Sequence, residues 1–591
     1  MLILSVFSTP VLSVEPINPD ELHWKGWSDD LFQQAKQQDK FVILDLEAIW
    51  CHWCHVMEET TYKDEKVVRL LQQKYITVRV DQDTNPDLLA RYGDYGWPAT
   101  IVFAPDGTEI VKRRGYINPF FMAAMLQAII DDPSPGPSVI TPEVVEPSTS
   151  SSLTSAQKEA LLSRYFDLFD AENGGWGFIH KFINADAMDY ALSKAKQGDK
   201  VYEFMARHTL HSALDLIDPV WGGVYQYSDQ LDWQSPHFEK IMSIQTQSLR
   251  IYSQAWSMLN IDSYREAADK IYSYLNEFLK SPDGLYYTSQ DADLNLEIDG
   301  HKYFPLDDEK RRALGMPHID SHIYSKDNAW IIRSFVAYAN ATGLAEPLQQ
   351  AQHIATKLDQ QFALANGSFK HSLNDTAGPY LSDSIAMTQA YLSLYQATGN
   401  QNWLTKTNNS LSFIETSFKD NEQGGYVNSV VSKNSIGVFS KPVKHRDELI
   451  QLARTANLAY HYTGKNNQLT MQQHALKYMT SKTMLESRFF LSGLLLADEE
   501  SKNAPVHITI VGSKSDPLAQ QLHNQARKYP VDYLRVDWWD KSEGQLMNND
   551  IQYPQLEKSA AFACSADSCS LPVFESDKLH AAVDKLLQSL P

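Results

Sequence analysis

Two of the four cysteines stand three positions apart in Trp50-Cys51-His52-Trp53-Cys54-His55, directly behind an apolar run and ahead of a helical pattern. A cysteine pair at such a junction restricts the local fold sharply. The start of a helix leaves backbone amides unpaired and aims them at the first sulfur. Alone, the pair fits a redox dithiol, half of a zinc site or, because His55 follows at once, a c-type haem attachment sequence.

The flanking residues narrow the choice. Phe41 to Leu46 reads as a nearly continuous apolar strand interrupted by Asp45, six residues before Cys51. A carboxylate in a buried strand is costly unless paired or functional, and one beneath a dithiol can accept and return protons during thiol exchange. A solvated edge-strand aspartate is the alternative. Ile76 to Asp81 is a second strand, and Gly96-Trp97-Pro98-Ala99-Thr100 leads into a third at Ile101 to Phe103. Pro105-Asp106-Gly107 turns the chain back into Glu109 to Val111, and a helix follows from Pro119 to Ile130.

This order resembles a thioredoxin, and the resemblance is residue-specific. Asp45 matches the buried acid, Trp50 the residue before the nucleophile, Cys51 and Cys54 the dithiol, and Pro98 the cis-proline. It implies that Cys51 attacks and Cys54 resolves, with Pro98 and Trp97 bordering a groove where an extended peptide can pair. Protonated His52 would favour the Cys51 thiolate. Trp53 and His55 complete the supporting set. Haem does not suit a helix that covers a sheet, even with Met57 available as a distal ligand. Zinc on Cys51, Cys54 and His55 or His52 lacks a neighbouring Cys/His cluster to complete four ligands. No metal and no cofactor are therefore expected.

The 591 residues carry 52 basic and 73 acidic side chains, a formal charge of −21. Such a balance repels phosphate backbones, so nucleic acid is not an expected partner. No run of about 18 apolar residues is present to form a transmembrane helix. Residues 1–13 are mostly apolar and end Val11-Leu12-Ser13, as the remnant of a signal peptide would. Export, to a periplasm or beyond, is the expectation; a cytoplasmic chain with an apolar N-terminal arm is the alternative.

Composition also divides the chain. A thioredoxin-like α/β domain at 14–131 precedes a linker at 132–152 rich in Pro and Ser. Long amphipathic helical patterns fill 153–504, and a small α/β region occupies 505–591, with strands at Val506 to Gly512 and Val531 to Val536 around a helix from Asp516 to Tyr529. Within the helical part a glycine-aromatic pattern recurs: Gly174-Gly175-Trp176, Gly222-Gly223-Val224-Tyr225, Asp283-Gly284-Leu285-Tyr286-Tyr287, Asn366-Gly367-Ser368-Phe369 and Gly424-Gly425-Tyr426. Helix pairs joined by such turns build solenoids or closed α/α toroids.

The dithiol motif running on into this helical domain resembles the spermatogenesis-associated protein 20 type family of thioredoxin-domain proteins. Further points of likeness are Gly174-Gly175-Trp176-Gly177 leading to His180-Lys181-Phe182, Pro236 to Lys240, Ser289 to Asp293, and Ala563-Cys564 to Cys569-Ser570-Leu571-Pro572. The resemblance implies a multidomain chain in which the thioredoxin-like domain is fused to an (α/α)6 toroid of the six-hairpin glycosidase type. A toroid gathers its inner-helix ends around a funnel, where His237, Glu239, Asp291, Asp293 and Asp383 are candidate residues for sugar chemistry. Trp176, Trp221, Tyr225 and Tyr287 are candidates to stack on sugar rings. The structural alternative makes Asp291 and Asp293 braces of a turn and Glu239-Lys240 an ion pair. After Lys240 the segment Ile241 to Thr246 replaces a stretch that is more polar in the family.

Cys564 and Cys569 either close a small disulfide loop or form a second dithiol that exchanges electrons with Cys51. The expected activity is thiol-disulfide exchange with a protein thiol or disulfide, with the toroid holding the substrate. Carbohydrate processing by the toroid, or a binding module whose sites are vestigial, are the alternatives.

Overall fold

The computed structural model describes residues 22–140, 144–374, 377–431, 435–565 and 568–588. The expected signal segment, 1–13, lies outside the described residues. In the first domain the strands β1 (Phe41–Glu47), β2 (Tyr75–Asp81), β3 (Ala99–Phe103) and β4 (Glu109–Arg114) form one sheet in the order β2-β1-β3-β4. β1 and β2 run parallel, while β3 and β4 run antiparallel to their neighbours. Lys25 adds a single parallel bridge beyond β2. Val42, Leu44 and Leu46 fill one core with Phe32 and Phe103, while Ile43 fills the other with Met57 and Met122. Side chains alternate along a strand, so Asp45 shares the face of Ile43, under helix His52–Thr60.

The helical domain is a closed ring. Six inner helices, Ala185–Lys196, Met242–Leu259, Ser325–Thr342, Leu381–Thr398, Arg446–Thr463 and Ser492–Lys502, pack in succession, and the last returns to the first. Five of them pair with the outer helix that follows, at Lys200–Ser212, Asp262–Tyr274, Glu346–Gln361, Gln401–Ser417 and Asn466–Met479. The sixth pairs with Ser155–Asp167, so the two ends of the domain close the ring together. This is the (α/α)6 architecture.

Each glycine-aromatic turn follows an outer helix and is pinned by one antiparallel bridge, as in Phe169 to Trp176 and Lys419 to Tyr426. Gly222 and Gly223 show why the small residue is needed. Both have positive φ, and a Cβ on Gly222 would lie 2.4 Å from the Lys270 carbonyl oxygen, on the neighbouring outer helix.

The C-terminal region is a three-stranded sheet, Leu534–Trp539, Val506–Val511 and Ala560–Cys564 in that order, with helices Pro517–Ala526 and Leu579–Gln588. Its second strand begins at Leu534 rather than at Val531. The preceding Asp532 is drawn to Arg454 of an inner helix, 3.1 Å away. The third strand, Ala-Ala-Phe-Ala-Cys, has no β-branched residue and carries little strand signal of its own. This region seals the C-terminal ends of the inner helices: Tyr395 donates to Asp537 at 2.8 Å, and Lys514 to the Gly399 carbonyl at 2.8 Å.

The thioredoxin-like domain covers the opposite rim. Phe439 leaves the toroid and packs in the first domain's core, its ring 4.6 Å from Trp27 and 5.6 Å from Phe103. Arg91 donates to the carbonyls of Val438 and Lys441, and Asp94 pairs with Arg446. The linker is strapped to an outer helix, with Ser148 N–H donating to the Lys477 carbonyl and Thr480 to that of Ser150.

Two predictions follow from this seam. Phe439→Ala removes an aromatic anchor worth about 3 kcal/mol, so the first thermal transition shifts down; an unchanged transition contradicts the anchoring role. Burial and the neighbouring Asp83 and Asp320 carboxylates push Asp81 up to about 8. The folded chain therefore holds a proton there that the unfolded chain has released above about pH 4, and this carboxyl costs stability progressively as pH rises to about 8. Thermal melts of Asp81→Asn show a gain over wild type that is larger at about pH 8.5 than at about pH 5; an equal gain at both contradicts the assignment.

Candidate redox site at the domain seam

Cys51 is the N-cap of helix His52–Thr60, and its Sγ accepts the backbone N–H of Cys54 at 3.2 Å. The two cysteines are joined as a disulfide. The same N–H remains in place to hold a Cys51 thiolate once the bond is reduced, and the helix dipole adds to it. Trp50, Ala48 and both cysteines form a small apolar cluster, closed by Trp97 from the loop that ends in cis Pro98. The Trp50 and Trp97 rings meet edge to face at 5.4 Å. Trp53 is exposed and leans on Tyr116.

Asp45 is buried, and its carboxylate accepts from Arg79 Nε at 3.3 Å. Arg79 also holds Glu58 of the redox helix at 2.6 Å and lies 3.4 Å from Glu47, with its guanidinium stacked 4.2 Å from Trp24. Burial pushes Asp45 up to about 6 against the pull of Arg79, and pushes Glu47 up to about 8 with Asp45 adding to it. Both acids therefore hold or exchange protons near neutrality on the sheet face beneath the dithiol helix.

The other wall comes from the toroid. A small antiparallel sheet at its rim, Lys240–Ile241, Ser289–Gln290 and Ile319–Asp320, sets the loops that face the dithiol. Ile241 packs on the cysteine cluster, which leaves Cys51 5% and Cys54 4% exposed. Lys240 pairs with Gln290 in the antiparallel register, which continues to Glu239 across from Asp291. His52 Nδ1 meets Asp293 Oδ2 at 2.5 Å, and this bond raises its pKa despite partial burial. The imidazolium charge is thus answered by Asp293 and is not a free cation beside Cys51. His55 Nε2 donates to the Ile49 carbonyl at 3.0 Å, and its Nδ1 lies 3.8 Å from Asp291.

Two residues that sequence reasoning missed, Asp83 and His371, join the two walls through Asp383. Asp83 accepts the Trp50 indole N–H at 3.0 Å, while its carbonyl accepts His371 Nε2 at 2.7 Å. His371 Nδ1 donates in turn to Asp383 at 3.0 Å. Burial opposes charge on His371, but Asp383 holds its pKa up. Asp383 is therefore a support of the domain seam. Asp83 had a signal, an acid just past the second strand; His371 had none, because its partner lies 288 positions away.

The remaining candidates fall in different places. Glu239 and Lys240 are not an ion pair: Lys240 turns to Asp218 at 2.8 Å, where Arg311 also binds, all three fully buried. Glu239 is left with a buried Oε2 that has no hydrogen-bond partner, and burial, with Asp291 and Asp293 adding to it, pushes it up to about 7. Asp291 accepts the Asp293 N–H and Asp293 that of Gly300, so both brace the loop while their other oxygens face the histidines. His237 is held by Asp229 at 2.7 Å and stacked on Tyr227 at 4.2 Å. Trp176, Trp221 and Tyr225 are core residues and offer no face to a sugar, whereas Tyr287 is half-buried. Cys564 and Cys569 form the second disulfide, in the region that seals the far end of the toroid. An 18-residue inner helix spans about 27 Å, so the two disulfides lie at opposite ends of the ring and do not meet in this arrangement.

Residues 7–127 match the family model Thioredox_DsbH, described as a protein of unknown function, DUF255. Spermatogenesis-associated protein 20 of Mus musculus is 27% identical over 320 residues, 48% of this chain and 40% of that protein; the Homo sapiens protein is 26% identical over the same shares. The match thus spans well under half the length of these relatives. A thiol:disulfide interchange protein DsbD of Campylobacter jejuni (strain RM1221) is 31% identical over 94 residues, 15% of this chain and 16% of its own. A D-mannose isomerase structure aligns with 59% of this chain and 96% of its own at 12% identity and a TM-score of 0.45. Over about half its length the chain is similar to spermatogenesis-associated protein 20, and residues 7–127 match the thioredoxin-like family model.

Proposed function

We propose that the chain is a thiol-disulfide oxidoreductase acting through Cys51 and Cys54. The observation that carries this reading is the Cys54 N–H held on Cys51 Sγ at the start of a helix, with Trp50, Trp97 and Pro98 alongside. The thiol:disulfide interchange named for the DsbD relative supports it. In the oxidising direction a substrate thiolate attacks Cys51 Sγ, the Cys51–Cys54 bond breaks, and Cys54 leaves as a thiolate that takes up a proton. A second substrate thiolate then attacks the substrate sulfur of the mixed disulfide and releases Cys51, so the substrate loses two electrons and the dithiol gains them. Reduction of a substrate disulfide is the reverse, and the reduction potential of the pair sets the direction. Asp45, close to neutrality in its proton affinity, is the residue we assign to relay the proton.

An oxidising compartment suits this chemistry and the Cys564–Cys569 bond, and the apolar residues 1–13 support export. Burial of both sulfurs under Ile241 implies that a protein substrate gains access when the thioredoxin-like domain lifts from the rim. The raised Glu239 and Asp291 favour a second reading, proton transfer to a carbohydrate at the rim; loss of glycan binding in Glu239→Gln supports it, and absence of glycan binding by wild type removes it.

Cys51→Ser abolishes insulin reduction and dithiol oxidation, and Cys54→Ser accumulates a mixed disulfide on Cys51. Activity of Cys51→Ser equal to wild type removes the oxidoreductase reading.

A further inference from the structure

Beside the dithiol, the seam brings together groups that neither domain could assemble alone. His55 Nδ1 and one carboxylate oxygen each from Asp291 and Asp293 lie within 4.8 Å of one another. His55 comes from the redox helix; the two aspartates come from a toroid loop more than 230 positions further on. Both aspartates are buried, at 6% and 7% exposure.

The hydrogen bonding leaves this cluster incomplete. A carbonyl can only accept, so the contact from His55 Nε2 to Ile49 fixes the proton on that nitrogen. In the neutral ring the Nδ1 lone pair then points toward Asp291 Oδ2 across 3.8 Å, with two acceptors facing each other. Donation of the distal ring N–H to a backbone carbonyl is the arrangement that orients metal-ligating histidines. Glu239 gives the second, independent sign. It is 4% exposed, its Oε2 has no hydrogen-bond partner, and the rim register places it across from Asp291. Three acidic side chains thus converge on one spot, where His52 meets Asp293 Oδ2 and Glu239 Oε2 has no hydrogen-bond partner.

We propose that His55, Asp291 and Asp293, with Glu239 as the fourth donor, form a site for a divalent transition cation at the seam between the two domains. Donors about 2.1 Å from a shared ion sit about 3–4 Å apart, so a contraction of about 1 Å closes the shell. One imidazole among carboxylates suits Zn2+, Mn2+ or Co2+ better than Mg2+ or Ca2+, which take oxygen alone. Ligands from both domains make the ion a clamp that holds the thioredoxin-like domain on the rim. The site leaves the sulfurs out of the ligand set, so it exists with the disulfide intact.

The test uses the full-length chain in its oxidised form, in which no thiol can bind metal. Equilibrium dialysis against Zn2+ gives one ion per chain, and His55→Gln and Asp291→Asn each weaken binding at least tenfold. Co2+ gives a visible d–d spectrum without a thiolate charge-transfer band. Absence of stoichiometric binding in oxidised wild type overturns the proposal, and that result does not depend on how the variants fold. A charge-transfer band, or unchanged affinity in folded variants with a wild-type circular dichroism spectrum, overturns it as well. None of these readouts uses thiol exchange, so the outcome is independent of the oxidoreductase reading.

Discussion

Phe439 belongs to the toroid by sequence but to the thioredoxin-like domain by packing, and the environment of the dithiol depends on that exchange. With its ring among Trp27, Phe32 and Phe103, the first domain is seated on the N-terminal rim of the inner helices. His371, held by Asp383, then binds the Asp83 carbonyl, and Asp83 fixes the Trp50 indole next to Cys51. A chain of directional bonds thus runs from an inner helix of the toroid to the residue preceding the first cysteine. Cooperative networks of this kind are worth having only when every member is satisfied.

The seating also changes the electrostatics of the site. In an isolated thioredoxin-like domain, a protonated His52 would act on the Cys51 thiolate through solvent. Here Asp293 answers that charge at 2.5 Å, and Ile241 excludes water from the sulfurs. The reactivity of the pair is therefore a property of both domains, and opening the seam changes its charge environment along with its accessibility. The far end of the ring is closed independently by the C-terminal region, whose Asp532 faces Arg454, Arg250 and Arg333. The toroid is capped at both rims, with a disulfide at each.

Much of the thioredoxin-like domain was legible because its signals are local. A strand interrupted by one acid, a Cys-x-x-Cys at a helix start, and a Trp-Pro before a third strand all act within a few residues of themselves. The glycine-aromatic turns were legible for the same reason, since positive φ and close approach restrict a single position to glycine. The rim residues were found by type but not by role. Asp383 supports a histidine, Lys240 abandons Glu239 for Asp218, and Trp176 and Trp221 are core. The start of the strand at Leu534 was misplaced because Asp532 answers to an arginine 78 positions away.

By itself the sequence determined most of the elements, the placing of the cysteine pair at a helix start and the succession of helix pairs, because propensity, turn geometry and hydrophobic period are short-range. Only the tertiary structure decided that Cys51 and Cys54 face the toroid, that His52 and His55 meet Asp293 and Asp291, and that Glu239 Oε2 is left without a hydrogen-bond partner. Those contacts join residues up to 241 positions apart. Nothing in either segment alone records the other, since burial and pairing of charge arise when two surfaces close on each other.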